Sequence, residues 1–318
     1  MLKGLCITPP IMGRISIGKV VERQGKRLPE KDDQFTLTSQ IQGRDGWLPH
    51  PFDEALRKAQ GGKIRSIPIR LLFNDPDLNF RAHYTLFDRK TGRQLCVGNG
   101  EQCRRRSQDG ISVLTCPSPD QCTFGEGSCK PYGRLNVVIG DDDPLCSFVF
   151  RTTGFNSIRT LIARLQYLQA VSGNKLSCMP LELRLRGKST RQSMGTPIFY
   201  ADITVRASMT LEETLLEAAR TAREREAAGF DQAALEQAAR QGFANGEFED
   251  SEEERGEVIE EFYPLSTEDV ATKAAMQGAT STAQLSLAEK LGNRLPLATP
   301  ESVMSGAAEK PEGTPRSL

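Results

Sequence analysis

The chain has 318 residues, of which 38% are hydrophobic, and its 41 Lys and Arg balance 41 Asp and Glu. That length suits one large or two small domains with tails, and no run approaches the apolar length of a membrane span. The neutral total hides a division: residues 1–206 carry 31 basic against 19 acidic side chains, and residues 207–318 carry 10 against 22. A basic body with an acidic tail points to a nucleic-acid or acidic-protein partner, with the tail as competitor or adaptor. Two merely solvated halves are the plainer reading.

In chain order, residues 15–21 read as a first strand after the turn at Pro9-Pro10. Residues 79–87 alternate Phe80, Ala82, Tyr84 and Leu86 with polar neighbours, the period of a half-buried strand. Asp88 to Gly92 predicts a hairpin turn into residues 94–97, and the Gly98-Asn99-Gly100 pair predicts another turn. The stretch from Cys96 to Lys130 reads as a loop. Residues 134–139 and 148–152 form a second pair of strands across the acidic turn Asp141-Asp142-Asp143-Pro144. After Gly154 a helical period takes over, capped by Asn156 or Ser157. It places Ile158, Leu161, Ile162, Leu165 and Leu168 on one face. Strands at 181–186 and 198–206 follow, joined by the polar loop 187–197.

Beyond the body the character changes. Residues 211–228 predict a helix opened by the capping box Thr210-Leu211-Glu212-Glu213, and residues 231–243 a second one after the Gly229 break. The segment 245–318, which begins with an acidic run to Glu261, reads as largely disordered, with short helices near 268–276 and 282–291. The expected fold is therefore α+β: a mainly antiparallel β body with a packed helix and a cysteine-rich zinc loop, then a helical hairpin and a disordered acidic tail. The divisions are 1–206 for the basic core with its zinc loop at 96–130, 207–244 for the helices and 245–318 for the tail.

Cysteines carry the strongest chemical signal. Cys103, Cys116, Cys122 and Cys129 lie at spacings of x12, x5 and x6, with Cys96 as an alternative fourth ligand. Thiolates are the ligands a tetrahedral structural zinc prefers, although the paired CxxC knuckles of common zinc ribbons are absent. Two disulfides would also staple such a loop. The start, MLKGLCITPP, lacks the apolar core of a secretory signal. A cytoplasmic, reducing setting is therefore expected, where thiols bind metal or stay free more often than they pair.

Enzyme templates are missing: there is no GxxxxGK[ST], HExxH or GxSxG, and the two histidines, His50 and His83, lie away from the cysteines. His50 reads as a loop residue. Basic segments offer a different chemistry. In LELRLRGKSTRQS, Arg184 and Arg186 alternate with leucines, and Lys188 and Arg191 follow. Guanidinium forks suit phosphate oxygens. Arg151, Asn156 and Arg159 surround a helix start, where free amides favour an anion, and Arg104-Arg105-Arg106 adds charge beside the cysteines. Pairing of these arginines with carboxylates of the same domain is the competing reading.

The runs CPSPDQCTFGEGSCKPYGRLNVVI, FRTTGFNSIRTL and PLELRLRGKSTRQS, in that order, resemble the phage-type recombination directionality factors that partner large serine integrases. The resemblance covers about residues 10–210 and stops before the helical and acidic part. It implies a non-catalytic accessory protein that binds an integrase on its DNA site, repositions the integrase's coiled-coil arm, permits excision and blocks integration. Relatives labelled metal-binding owe that label to the cysteines, here Cys116, Cys122 and Cys129 with Cys103 or Cys96; a hydrolase label finds no residues to support it. The expected partners are a serine-type integrase or another recombination protein, and DNA directly or through it. A single-stranded-DNA-binding or replication-associated protein with a structural zinc is the alternative.

Overall fold

The computed structural model describes residues 11–23, 26–43, 46–141, 146–189, 191, 195–246, 258–259 and 262–263. The chain divides into two units, Met1–Pro264 and Leu265–Leu318, and all described residues belong to the first. The short helices expected at 268–276 and 282–291 lie outside the described residues.

One large sheet organises the first unit. Its strands are β1 (Ile11–Arg23), β2 (Lys26–Gly43), β3 (Gly46–Pro49), β4 (Ser66–Arg70), β5 (Phe80–Phe87), β6 (Gln94–Gly98), β7 (Gln102–Ser107), β8 (Gly110–Thr115), β9 (Lys130–Ile139), β10 (Ser147–Thr152), β11 (Leu181–Lys188) and β12 (Ile198–Val205). The main path runs β3-β2-β1-β10-β9-β5-β6-β7-β8. β10 takes one edge of β9, from Gly133 to Val138. The other edge is shared: β5 pairs Lys130 to Leu135, and β4 pairs Val138 and Ile139. The sheet therefore forks at β9, one arm running to β8 and the other through β4 and β11 to β12. β1 and β10 run parallel, and the other described pairings are antiparallel.

α3 (Phe155–Val171) packs on the fork. Ile158, Leu161, Leu165 and Leu168 are buried with Phe80, Leu135, Val137, Phe148, Phe150 and Leu183 in the main core. Leu135, Val137, Phe148 and Leu161 are completely buried, each removing roughly 1.5–3 kcal/mol worth of side chain from water. Gly133 lets this layer close: a Cβ there would meet Phe80 Cζ at 2.5 Å and Ile158 Cγ1 at 3.3 Å.

Two details of the expected helix change. Its N-cap is Gly154, without a side-chain cap, rather than Asn156 or Ser157. The Ser157 hydroxyl is buried and accepts from Ala201 N at 3.1 Å, which ties α3 to β12, and the Asn156 carboxamide accepts from Lys188. Ile162 is exposed, because the buried stripe follows Ile158, Leu161, Leu165 and Leu168 only.

Among the helices, those at Pro51–Ala59 and Pro76–Asn79 went unpredicted, whereas those at Leu211–Ala227 and Gln232–Gly246 fall where helices were expected. α1 (Pro51–Ala59) starts on His50, whose Nδ1 accepts from Phe52 N at 3.2 Å. The buried Asp53 carboxylate accepts from Leu37 N at 2.8 Å and from Arg57 Nε at 2.6 Å, fastening α1 to β2. α2 (Pro76–Asn79) opens β5, and its fully buried Asn79 accepts from the amides of Leu72 and Phe73, both at 3.1 Å. α4 (Leu211–Ala227) begins with the predicted capping box and buries Ala218 in the main core. α5 (Gln232–Gly246) sets Ala239 against Phe73 and Leu78, and Glu236 accepts from Asn74 N at 2.7 Å.

The cysteine-rich stretch is only partly loop. Its first half forms the β7–β8 hairpin, closed at Ser107↔Gly110 with Gly110 at φ 124°. Asp109-Gly110 is a hairpin signal of the same kind as those recognised elsewhere in the chain. The fold itself does not show metal in the remaining loop.

Asp141, just past the end of β9, ties the arm that runs through β4 and β11 to β12 back to the fork. Arg206 donates to it through two bonds of 2.7 and 2.9 Å, and Arg70 Nε through one of 2.5 Å. Arg206 first, then Arg70, holds its carboxyl down at about 2 against burial. A depressed carboxyl stabilises the fold above its unfolded pKa and loses that contribution as pH falls through the folded value. Asp141→Asn is expected to lower urea stability at pH 7 by about 0.5–1 kcal/mol, the range of a solvent-screened pair. The difference should shrink between about pH 4 and pH 2; a penalty that persists at pH 2 would show that the carboxylate charge is not its source.

Candidate functional site

The cysteines converge. Cys96 on β6 and Cys103 on β7 face the same way, since Cys96 pairs with Arg105 and Gly98 with Cys103. Cys116 follows β8 on that face, and its amide donates to Glu101 O at 2.8 Å. Three buried thiols thus project from one side of a three-stranded ribbon. The chain from Pro117 then turns back over them, bringing Cys122 and Cys129, both half-buried, to the same pocket. Leu86, Tyr84 and Phe124 complete its wall. The Arg105 guanidinium lies 3.9 Å from the Phe124 ring centroid, a cation–π contact between ribbon and loop.

Five thiols in one pocket affect one another. Burial pushes Cys103 up to about 11, helped by its hydrogen bond to Cys96 and opposed by the charge of Arg105. Burial pushes Cys129 up to about 12, with the charges of Cys96, Cys122, Cys116 and Cys103 adding to the rise. Burial thus favours the protonated thiol at Cys103 and Cys129. All described cysteines are free, so the disulfide alternative finds no bridge among them. Among the described residues, no three Cys, His, Asp or Glu side chains are gathered closely enough to hold a metal ion.

The basic residues are dispersed. Arg184 pairs with Glu182, Arg186 Nε donates to Asp202 Oδ2 at 3.2 Å, and Arg164 donates to Asp202 Oδ1 at 3.1 Å. Glu182 and Asp202 are buried, so the basic face of β11 is neutralised locally. Lys188 Nζ donates to Asn156 Oδ1 at 2.7 Å, which brings the end of β11 to the start of α3. Arg159 and Arg191 are exposed on α3 and in the turn after β11. Arg151 belongs to a different surface: it is buried on the sheet face opposite α3, directly across from Arg134.

Sequence reasoning missed two features. β8 is an edge strand with Ile111, Val113 and Leu114 exposed to 52%, 64% and 42%. The stretch 258–263, placed in the tail, holds Val258 and Phe262 fully buried against Phe87 and Tyr132. The apolar cluster Val258-Ile259 and Phe262-Tyr263, interrupting an acidic run, was the available signal.

These observations define a class: a mixed α+β protein on one large, mostly antiparallel sheet, with a thiol pocket at one end. Residues 12–206 match the Gp3-like, recombination directionality factor-like family, and the chain belongs to that family. No curated protein and no solved structure matches it. Among the described residues, no helix is long and apolar enough to cross a membrane.

Gly98 makes the pocket's close packing testable. A Cβ there would meet Cys103 Cβ at 2.8 Å, Cys116 Sγ at 2.9 Å and Gln102 O at 3.0 Å. Gly98→Ala should cost about 1–3 kcal/mol in urea unfolding by overpacking, and it should speed thiol labelling of Cys116 under native conditions. Unchanged stability and labelling would show the ribbon yields freely at this point.

Proposed function

We propose that this protein is an accessory factor that sets the direction of recombination by a serine integrase, through protein contact and without catalysing strand exchange itself. The observation that carries the reading is the extent of the family match. Residues 12–206 span the sheet from β1 to β12, thiol pocket included, so the kinship concerns the body as a whole. The edge strand β8 supports a protein partner: Ile111 and Val113 stand exposed on one face, and its outer backbone groups lie along the sheet edge. Local neutralisation of Arg184 and Arg186 speaks against a β11 surface dedicated to phosphate.

In this reading, zinc organises the end of the sheet that carries β8. What supports this is the donor type: five thiols, Cys96, Cys103, Cys116, Cys122 and Cys129, line one pocket, and four of them would suffice for a structural site once drawn together, since among the described residues no three stand close enough to hold an ion as they are. The cation would tie the returning loop to the ribbon. Because ligand thiols give up protons on binding, affinity should rise with pH.

Two measurements test these statements. With the integrase of its own element, the purified protein should raise excision relative to integration at least about ten-fold, equal to roughly 1.4 kcal/mol of coupling. Ile111→Asp with Val113→Asp should abolish the shift while leaving the fold intact. No change in direction, together with DNA retention by the protein alone that collapses with salt, would favour the single-stranded-DNA alternative. For the metal, elemental analysis should find one zinc per chain, and Cys122→Ser with Cys129→Ser should lose it and melt lower. Equal metal content and melting in both proteins would remove zinc from the account.

A further inference from the structure

Phe87, the last residue of β5, and Tyr132, near the start of β9, form an aromatic slot away from the main core. Leu86 turns into the thiol pocket, so Phe87, its neighbour in an alternating strand, turns to the other face. The two rings meet edge to face, their centroids 5.3 Å apart.

One helical turn fills the slot. Val258 and Phe262 lie four residues apart, on one side of that turn, and both are fully buried against Phe87 and Tyr132. Tyr263 N donates to Ile259 O at 2.7 Å and closes the turn. The Phe262 ring stands 4.8 Å from Phe87 and 6.2 Å from Tyr132, edge to face with each. Main-chain groups are held as well: Lys130 Nζ donates to Phe262 O at 3.2 Å, and Tyr263 Oη donates to Phe87 O at 2.9 Å. The Arg89 guanidinium lies 4.5 Å from the Tyr263 ring centroid, and the Lys130 ammonium 5.5 Å from that of Phe262.

Apolar anchors from one face of a helical turn, set into a groove, are the contacts of helix-in-groove peptide recognition. The slot lies within the residues that match the family, 12–206, and the turn that fills it lies beyond them. Among the described residues, the cluster of Phe87, Tyr132, Val258 and Phe262 is separate from the core around α3. Charge agrees with this pairing. The sequence Val258-Ile259-Glu260-Glu261-Phe262-Tyr263 carries two carboxylates between its anchors, and Arg89 and Lys130 flank the slot.

We propose that the slot formed by Phe87, Tyr132, Arg89 and Lys130 is a protein-docking site that the chain keeps closed with its own residues 258–263. The ligand it fits is a short protein segment that makes one helical turn, with an aliphatic residue four positions before an aromatic pair and carboxylates between. A partner bearing such a segment engages the site by exchange with the resident turn. Only residues 247–257 separate that turn from α5, and a tether so short gives it an effective concentration on the order of 1 mM. Weak or dilute competitors are therefore shut out. This surface is distinct from the β8 edge, and the proposal does not depend on zinc or on the identity of a recombinase.

The test is fluorescence anisotropy of a labelled peptide spanning residues 256–265, added to the full chain. Phe262→Ala with Tyr263→Ala should bind the peptide at least about ten-fold more tightly than the unsubstituted chain, because the tethered competitor is gone. Adding Arg89→Glu and Lys130→Glu to that variant should abolish binding. Absence of binding, equal affinity in both proteins, or binding that survives the charge reversal would overturn the proposal. A doubly substituted chain that fails to fold would overturn it too, since residues 258–263 would then be core. Amide exchange in the unsubstituted chain gives an independent reading: the Tyr263 amide should exchange at least about ten-fold faster than the amides of β9, and equal rates would contradict local opening. A dimer of the unsubstituted chain that the Phe262 and Tyr263 substitutions split would assign the turn to a second copy and overturn closure within one chain.

Discussion

The fold depends on the double use of β9. A strand has only two hydrogen-bonding edges, and this one serves three neighbours by dividing its outer edge between β5 and β4. The division makes a fork, and α3 covers one face of it with a stripe of aliphatic side chains. Gly133 sits where helix and strands approach most closely, so the fork and its filling rest on a missing Cβ. Asp141 completes the junction by drawing an arginine from β4 and another from just beyond β12 to the end of β9.

This frame separates the two chemistries of the chain. The arm from β5 to β8 extends past the reach of α3, so its inner face lacks a helix to cover it. Thiols and a folded-back loop take that place, and Arg105 spans between them. The opposite face of the sheet carries Arg81, Arg134, Arg151 and Arg104, and the neutral net charge of the protein is the sum of a basic stretch at 1–206 and an acidic one at 207–318.

Local rules recovered much of this from the residues alone. Alternation located β5, turn chemistry located the β5–β6 connection, and the capping box at Thr210 located α4, because each is decided within a few neighbouring residues. The failures share a different cause. α1 and the start of α3 are tied to distant partners, Asp53 reaching β2 and Ser157 serving β12, and α2 is a single turn whose Asn79 holds the amides of Leu72 and Phe73. Convergence of the cysteines was legible from their crowding. Cys96 was read as an alternative to Cys103; that the two stand side by side was not legible, since only the pairing of β6 with β7 turns them to the same side. Arg186 looked like part of a phosphate surface because its carboxylate partner, Asp202 on β12, lies sixteen residues away in sequence; Arg184 pairs with Glu182 on its own strand.

The parallel pairing of β1 with β10 sets a condition on synthesis. Ile11 finds Ser147 only after the intervening chain, about 135 residues, has been made, which at ribosomal rates takes roughly 7 to 27 seconds. During that interval the β1–β2 hairpin exists without its inner neighbour, presenting Ile15, Phe35 and Leu37 to whatever is near. A chaperone able to shield a bare hairpin edge is thus most valuable early in translation, before the strand that completes it has left the ribosome.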